Sequence, residues 1–286
     1  MKNNKGQKTL RQYIRECIIV GGDTTRGYVL GKTRDRNYKP TVQIIRDITS
    51  KGIEFVYMHD MNTDYAEGMN CHGVGIVNAA LLVSADEKAL KHWRIGTSKK
   101  KGASNDGPRM LHALQFPKLS QAIKSLVGYD SGLKGHTLVG NKKLLYSIEM
   151  TSKHNPIVKK IDTTKGFDVK TNHGEEHHSA GYTANKHPDD YASSAHRQAQ
   201  ALDALKNVKD DRDIMPNLTT QKFKKNSNYN MLRTTAQMRT SSQVLMNLED
   251  LTFTFYVIDD ECDYKGIVDH TPKEHKSRIN IIIEKI

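Results

Sequence analysis

The sequence predicts an α+β fold of packed layers, on three observations. Short β-branched runs bounded by Gly, Asn or Asp dominate the first 83 residues, which is the strand pattern. Two stretches, 84–128 and 188–208, instead carry helix caps and helical spacing. Strand patterns return after each of them. Blocks of strand separated by blocks of helix fit a layered α+β architecture better than a regularly alternating βαβ one.

Taken in order, the first strand runs are "CIIVGG", "GYVLGKTRD", "EFVYMHDMN" and "GVGIVNAALLV". "SADEKALKHWRI" opens the first helical block with a Ser cap and acids in the first turn, where negative charge meets the positive end of the helix dipole. "PKLSQAIKSLVG" closes that block on Gly. "GHTLVGNKKLLYSIEMTS" reads as two strands around an Asn-Lys turn, and "GFDVKTNHG" as a third. "PDDYASSAHRQAQALDALKNV" begins on Pro and Asp and spaces its small and apolar residues helically, so a long helix is expected over 188–208. "AQMRTSSQVLMN", "LTFTFYVID" and "RINIIIEKI" return to strand. No internal repeat or low-complexity linker divides the chain, so a single domain is expected.

With 286 residues, 36% of them hydrophobic and 27% charged, the composition is globular and allows a sizeable core. The longest apolar runs fall far short of the roughly 20 residues of a spanning helix, so no membrane partner is expected. The basic leader "MKNNKGQKTLRQYI" lacks the apolar stretch of a secretory signal. Cys17, Cys71 and Cys262 are an odd number and make no disulfide framework, which points to a reducing, cytoplasmic setting. The net charge of +12, from 44 basic and 32 acidic residues, favours polyanions, nucleic acid first and an acidic small molecule second. The lysines are scattered, however, with their densest run at "TSKKKGASNDG" (97–107), and 7% aromatic residues offer little for base stacking. Neither a zinc-finger spacing nor an RNP-like pattern occurs. A solvated basic surface is the simpler reading.

The first apolar run begins on a cysteine, in "RECIIVGG". A free Cys packs well as a small buried hydrophobe. It is also a residue that a cut before Cys17 would place at a new N-terminus. Four later segments bear on the choice: "GKTRD" (31–35), "EGMNCHGVGIVNAAL" (67–81), "VKTNHG" (169–174) and "SSAHR" (193–197). Their order after Cys17 resembles the N-terminal nucleophile hydrolases, in the branch of choloylglycine hydrolase, penicillin V acylase and acyl-coenzyme A:6-aminopenicillanic acid acyltransferase. The resemblance runs from Cys17 to about Tyr256. In that superfamily a precursor cuts itself before a Cys, Ser or Thr, and the exposed residue is both nucleophile and, through its α-amine, base.

The resemblance implies a four-layer αββα sandwich with mainly antiparallel sheets, residues 1–16 as a propeptide and 17–286 as one mature domain. It makes Cys17 the nucleophile and Asp35 the acid that holds its α-amine. Lys32 falls where the family commonly has Arg and Thr33 where it commonly has Asn; a lysine keeps the positive charge but loses the planar fork of donors. Cys71 stands where Glu is common. Counting downstream places an oxyanion-hole side chain near Asn78 to Ala80, so Asn78 is a candidate donor. Asn172 matches the amide donor beside the scissile carbonyl, and Arg197 the arginine of the nucleophile's polar network. No cofactor is implied. The expected partner is a small-molecule amide, of acidic character if the basic balance is a guide.

These residue types belong together chemically. An α-amine has an unperturbed pKa of about 7.7–8, so near neutrality it can accept a thiol proton. Attack on an amide carbonyl builds negative charge on oxygen, where a preorganised donor is typically worth about 2.7–4 kcal/mol. The thioester formed is cleaved by water in hydrolysis or by an amine in acyl transfer. Two rival functions compete with this reading. His173, His177 and His178, with Glu175 and Glu176, could ligate zinc, but Gly174 and Gly181 bracket the run and argue for a loop rather than a metal-binding helix face. The departures at Lys32, Thr33 and Cys71 would also suit a scaffold that has lost activity and binds nucleic acid or serves a structural role.

Overall fold

The computed structural model describes residues 15–81, 106–151, 154–219, 227–235, 238–258 and 260–286. Two large sheets face one another. The first holds, in spatial order, β10 (Asp168–Lys170), β1 (Arg15–Thr24), β2 (Gly27–Arg36), β11 (Arg239–Asn247), β12 (Thr252–Val257) and β14 (Asn280–Lys285). The second holds β13 (Asp263–Asp269), β3 (Thr41–Ile48), β4 (Glu54–Asp60), β5 (Tyr65–Asn70), β6 (Gly75–Ala79), β7 (Gly135–Asn141), β8 (Leu144–Met150) and β9 (Ile157–Lys160). All neighbours are antiparallel except β12 with β14 and β3 with β13.

Helices cover both outer faces. α1 (Asp106–Leu114) and α2 (Leu119–Gly128) pack on the second sheet, against β5 and β7; α3 (Pro188–Leu205) and α4 (Ile214–Leu218) pack on the first, against β10 and β2. The order is helix, sheet, sheet, helix. Strand alternation is what makes this possible, because successive side chains point to opposite faces. Cys17, Ile19, Leu30, Val244 and Met246 join the larger core between the sheets. Their neighbours Ile18, Val20, Val29 and Leu245 join the second core, with Ala201 and Leu205 of α3 and Ile214, Met215 and Leu218 of α4. A sheet apolar on both faces must be covered twice, and this one is.

Most expected elements are present, with differences at their edges. The run "VGIVNAALLV" is strand only as far as Ala79, and the strand of Cys17 starts two residues earlier, at Arg15. Of the first helical block, 106–114 and 119–128 are helix, while 84–105 lies outside the described residues, as does most of the lysine run and the leader up to residue 14. The sequence reading did not anticipate β3, β9, β13 or α4, and β5 entered it only through the strand pair that the family resemblance implies over 67–81. β13 is an edge strand with every other residue exposed and a register shift, so its apolar pattern is thin. In "EGMN", Gly68 is required by packing: a Cβ there would stand 2.1 Å from the Val56 carbonyl oxygen on β4.

Candidate active site

The β1–β2 ladder pairs Glu16 with Asp35 and Cys17 with Arg34. Residues directly opposite one another share a face. Cys17 therefore looks between the sheets together with Lys32, Arg34 and Arg36, while Glu16 and Asp35 look toward α3. The five charged residues are all buried, and Arg34, Arg36 and Lys32 are among the largest fully buried side chains. Charges at such depth persist only when paired and hydrogen-bonded.

On the inter-sheet face the partners come from β4 and β5. Lys32 Nζ donates to Glu67 Oε2 at 2.6 Å and to Tyr65 Oη at 2.8 Å, with the Tyr65 ring centroid 4.2 Å away. Arg34 Nη2 donates to Asp60 at 3.1 Å, and its Nε lies 3.3 Å from Glu67 Oε1. Arg36 Nη1 reaches the Cys17 sulfur at 3.7 Å and donates to the Asp35 carbonyl at 2.7 Å. Three basic side chains thus meet two carboxylates around the thiol. Burial pushes the Lys32 ammonium below the ordinary lysine value, against the pull of the Cys17 sulfur and Glu67.

On the helix-facing side two acids meet two arginines. The Glu16 carboxylate accepts from Arg197 Nη2 at 2.9 Å and from Tyr182 Oη at 2.8 Å, and lies 2.8 Å from Arg233 Nη1. Asp35 accepts from Thr240 Oγ1 at 2.8 Å and from Arg197 Nη1 at 3.3 Å. A register shift between Thr240 and Ser242 in β11 lies opposite this point, and bulges commonly re-aim side chains beside functional sites. Burial raises the Asp35 carboxyl above its ordinary value, with Arg233 and Arg197 opposing it. Burial acts in the same direction on Glu16, but there the charges of Arg233 and Arg197 together with the hydrogen bonds from Tyr182 and Arg233 outweigh it and hold the carboxyl below its ordinary value. The difference fits the shorter contacts of Glu16.

Asn172 joins the two faces. Its Oδ1 accepts from the Cys17 backbone N–H at 3.2 Å and from Arg197 Nη2 at 3.2 Å, its Nδ2 donates to the Ala80 carbonyl at 2.9 Å, and its own N–H donates to Ser194 Oγ at 2.9 Å. α3 supplies both Ser194 and Arg197, so the docking of one helix sets the asparagine and the guanidinium together. The loop after Asn172 returns through Gly181, whose φ is +67° and whose added Cβ would lie 2.4 Å from the Asn172 carbonyl oxygen. We expect Gly181→Ala to lower stability by about 1–2 kcal/mol, the usual cost of a left-handed L-residue, as read by denaturant melting. An unchanged midpoint would show that the loop rearranges freely.

The structure thus brings Cys17, Asp35, Asn172 and Arg197 together and sets Lys32 on the face of the thiol. Asn78 has a different environment: its Nδ2 lies within hydrogen-bond distance of the Lys134 and His136 carbonyls and Thr137 Oγ1, tying β6 to β7, and it is Ala80 that meets Asn172. The histidines also separate. His173 contacts Ser194 Oγ at 2.9 Å, whereas His177 stacks on His154. Sequence reading missed Glu16, Tyr182 and Arg233. It also missed Arg34 and Arg36, although the alternating cations of "GKTRDR" on one strand face were a legible signal.

No protein-family model matches the sequence, and no curated protein sequence matches it. Solved structures do share its shape. The Caenorhabditis elegans ortholog of N-acylethanolamine-hydrolyzing acid amidase superposes with a TM-score of 0.56 at 12% identity, over 82% of this chain and 93% of the other. A mutant of the conjugated bile acid hydrolase from Clostridium perfringens superposes with a TM-score of 0.50 at 13% identity, over 84% and 89%. At such identities the likeness speaks for the fold. The chain has the four-layer αββα fold of the N-terminal nucleophile hydrolases.

Proposed function

We propose that this protein is a self-processing cysteine amidohydrolase, which cuts its own chain between Glu16 and Cys17 and then cleaves a linear amide through a Cys17 thioester. The observation that carries the reading is the convergence on Cys17: Asn172 Oδ1 holds its nitrogen, Arg36 borders its sulfur, and Arg197 links Asn172 to Asp35. The folds it shares belong to an amidase and a hydrolase, which supports the same class.

In the cut protein the nitrogen of Cys17 is an α-amine beside Asn172, near enough to its own sulfur to take the thiol proton. The sulfur attacks the substrate carbonyl next to a surplus of positive charge. Asn172 Nδ2 has two hydrogens, one of which donates to Ala80, and the other is the donor proposed for the developing oxyanion. The departing amine takes the proton back. Water then opens the thioester; an amine in its place would make the same site an acyltransferase. Intact mass and N-terminal sequencing of the purified protein test the reading directly, since a chain that keeps residues 1–16 and still cleaves amides has no α-amine at Cys17.

The donor role has its own test. Asn172→Ala should lower kcat by about 10²–10³ on any amide the parent cleaves, the penalty typical of one lost oxyanion donor. A kcat equal to the parent's would move the role to another group.

A further inference from the structure

We propose that the pocket now filled by the Glu16 side chain becomes, after the leader departs, a carboxylate subsite for the acyl half of the substrate, selecting amides of dicarboxylic acids of glutaryl length. The proposal rests on the amidase reading above and names its substrate class. It stands on three groups that grip one carboxylate: Arg233 Nη1 at 2.8 Å, Arg197 Nη2 at 2.9 Å and Tyr182 Oη at 2.8 Å, all from buried side chains. Ser193 Oγ and the Asn228 carbonyl accept from Arg233 Nη2 at 2.8 and 3.2 Å and keep its guanidinium in place. A carboxylate between two arginines and a phenol is a built recognition site.

Glu16 is the acyl half of the first amide bond this protein would cleave. The Cys17 sulfur attacks the Glu16 carbonyl carbon, the C–S bond forms, the C–N bond to Cys17 breaks, and the thiol proton ends on the Cys17 nitrogen. Water then adds at the same carbon and breaks the C–S bond, giving the α-carboxyl of Glu16 and the free thiol. The first acyl-enzyme is thus a glutamyl thioester whose side chain starts in this pocket, across strand β1 from the thiol. A glutaryl group has the same five-carbon spacing between its carbonyl and its carboxylate.

Loss of the leader changes the charge balance. Arg197 and Arg233 then retain Asp35, at 3.3 and 3.7 Å, and Tyr182 loses the carboxylate it donates to. Cutting also adds an amine at Cys17. Desolvated positive charge without its anion is strongly disfavoured, so the mature pocket selects for a carboxylate.

The first test uses the full chain, kept uncut by Cys17→Ala. Adding Glu16→Ala should lower its melting temperature by about 10 °C. Acetate, the group removed, should restore most of that loss, and neutral acetamide should not. Equal effects of acetate and acetamide would overturn the pocket. The second test uses the processed parent on paired p-nitroanilides, with kcat/KM on the glutaryl compound expected to exceed that on the pentanoyl compound by about 10–100-fold. Arg233→Met should bring this ratio close to one, and Tyr182→Phe should lower it by roughly three- to tenfold. A parent ratio near one would overturn the substrate class while leaving the amidase reading intact. A parent that keeps its leader and cleaves neither compound would overturn the amidase reading and the substrate class with it, and the acetate result would still decide the pocket.

Discussion

Purified protein is expected to begin "CIIVGG", and Cys17→Ala to retain residues 1–16 and lose all amide hydrolysis. The effect should be complete because the proposed mechanism draws two reacting atoms from Cys17, the sulfur that attacks and the nitrogen that takes the proton. Cys17→Ser should still process, more slowly, since a hydroxyl is a weaker nucleophile than a thiolate. Cys71→Ala and Cys262→Ala should process normally: both are buried free thiols that make no bond to Cys17, and burial pushes Cys262, which feels the charges of Arg34 and Asp60, up to about 11. Intact mass separates these outcomes, as the leader is a discrete loss. Wild-type protein that starts at Met1 and is active would defeat the mechanism, because the nitrogen of Cys17 would then be an amide.

Arg197→Ala should destabilise the fold by about 3–5 kcal/mol and stop processing, and Asp35→Asn should act in the same direction with a smaller loss. Arg197 is fully buried and touches Glu16, Asp35 and Asn172, so its removal leaves carboxylates in the interior with Arg233 as their remaining guanidinium. Asp35→Asn keeps the shape and a hydrogen-bond acceptor for Thr240, but it removes the negative charge between two arginines. Denaturant melts with Cys17→Ala as the background measure stability without the complication of cutting. If both variants melt and process like their parents, the cluster contributes nothing and the proposed roles of Asp35 and Arg197 fail.

Much of this architecture was legible in the chain. The strand runs, the "GHTLVGNKKLLYSIEMTS" hairpin and the helix from Pro188 follow from periodicity and turn chemistry, which act over a few residues. The juxtaposition of Cys17, Asp35, Asn172 and Arg197 was reached through the order of motifs rather than through any one of them. Asn78 shows the limit of that reasoning. Counting along a strand places a residue to within a position or two, so the oxyanion side chain was placed only between Asn78 and Ala80, and it is the Ala80 carbonyl that meets Asn172.

The sequence by itself determined which faces exist. Alternation in β1 and β2 puts Cys17, Lys32, Arg34 and Arg36 on one side and Glu16 and Asp35 on the other, since a strand has a strict period of two. Only the tertiary structure decided what meets those faces. Tyr182 reaches Glu16 across 166 residues and Arg197 across 181, contacts that no local pattern encodes. They exist because the apolar face of α3 must be buried against β1 and β10, and burying it carries Ser194 and Arg197 down onto the buried carboxylates. Hydrophobic packing is non-directional and sets where the helix lies; the ion pairs, which depend on position to within an ångström, follow from it.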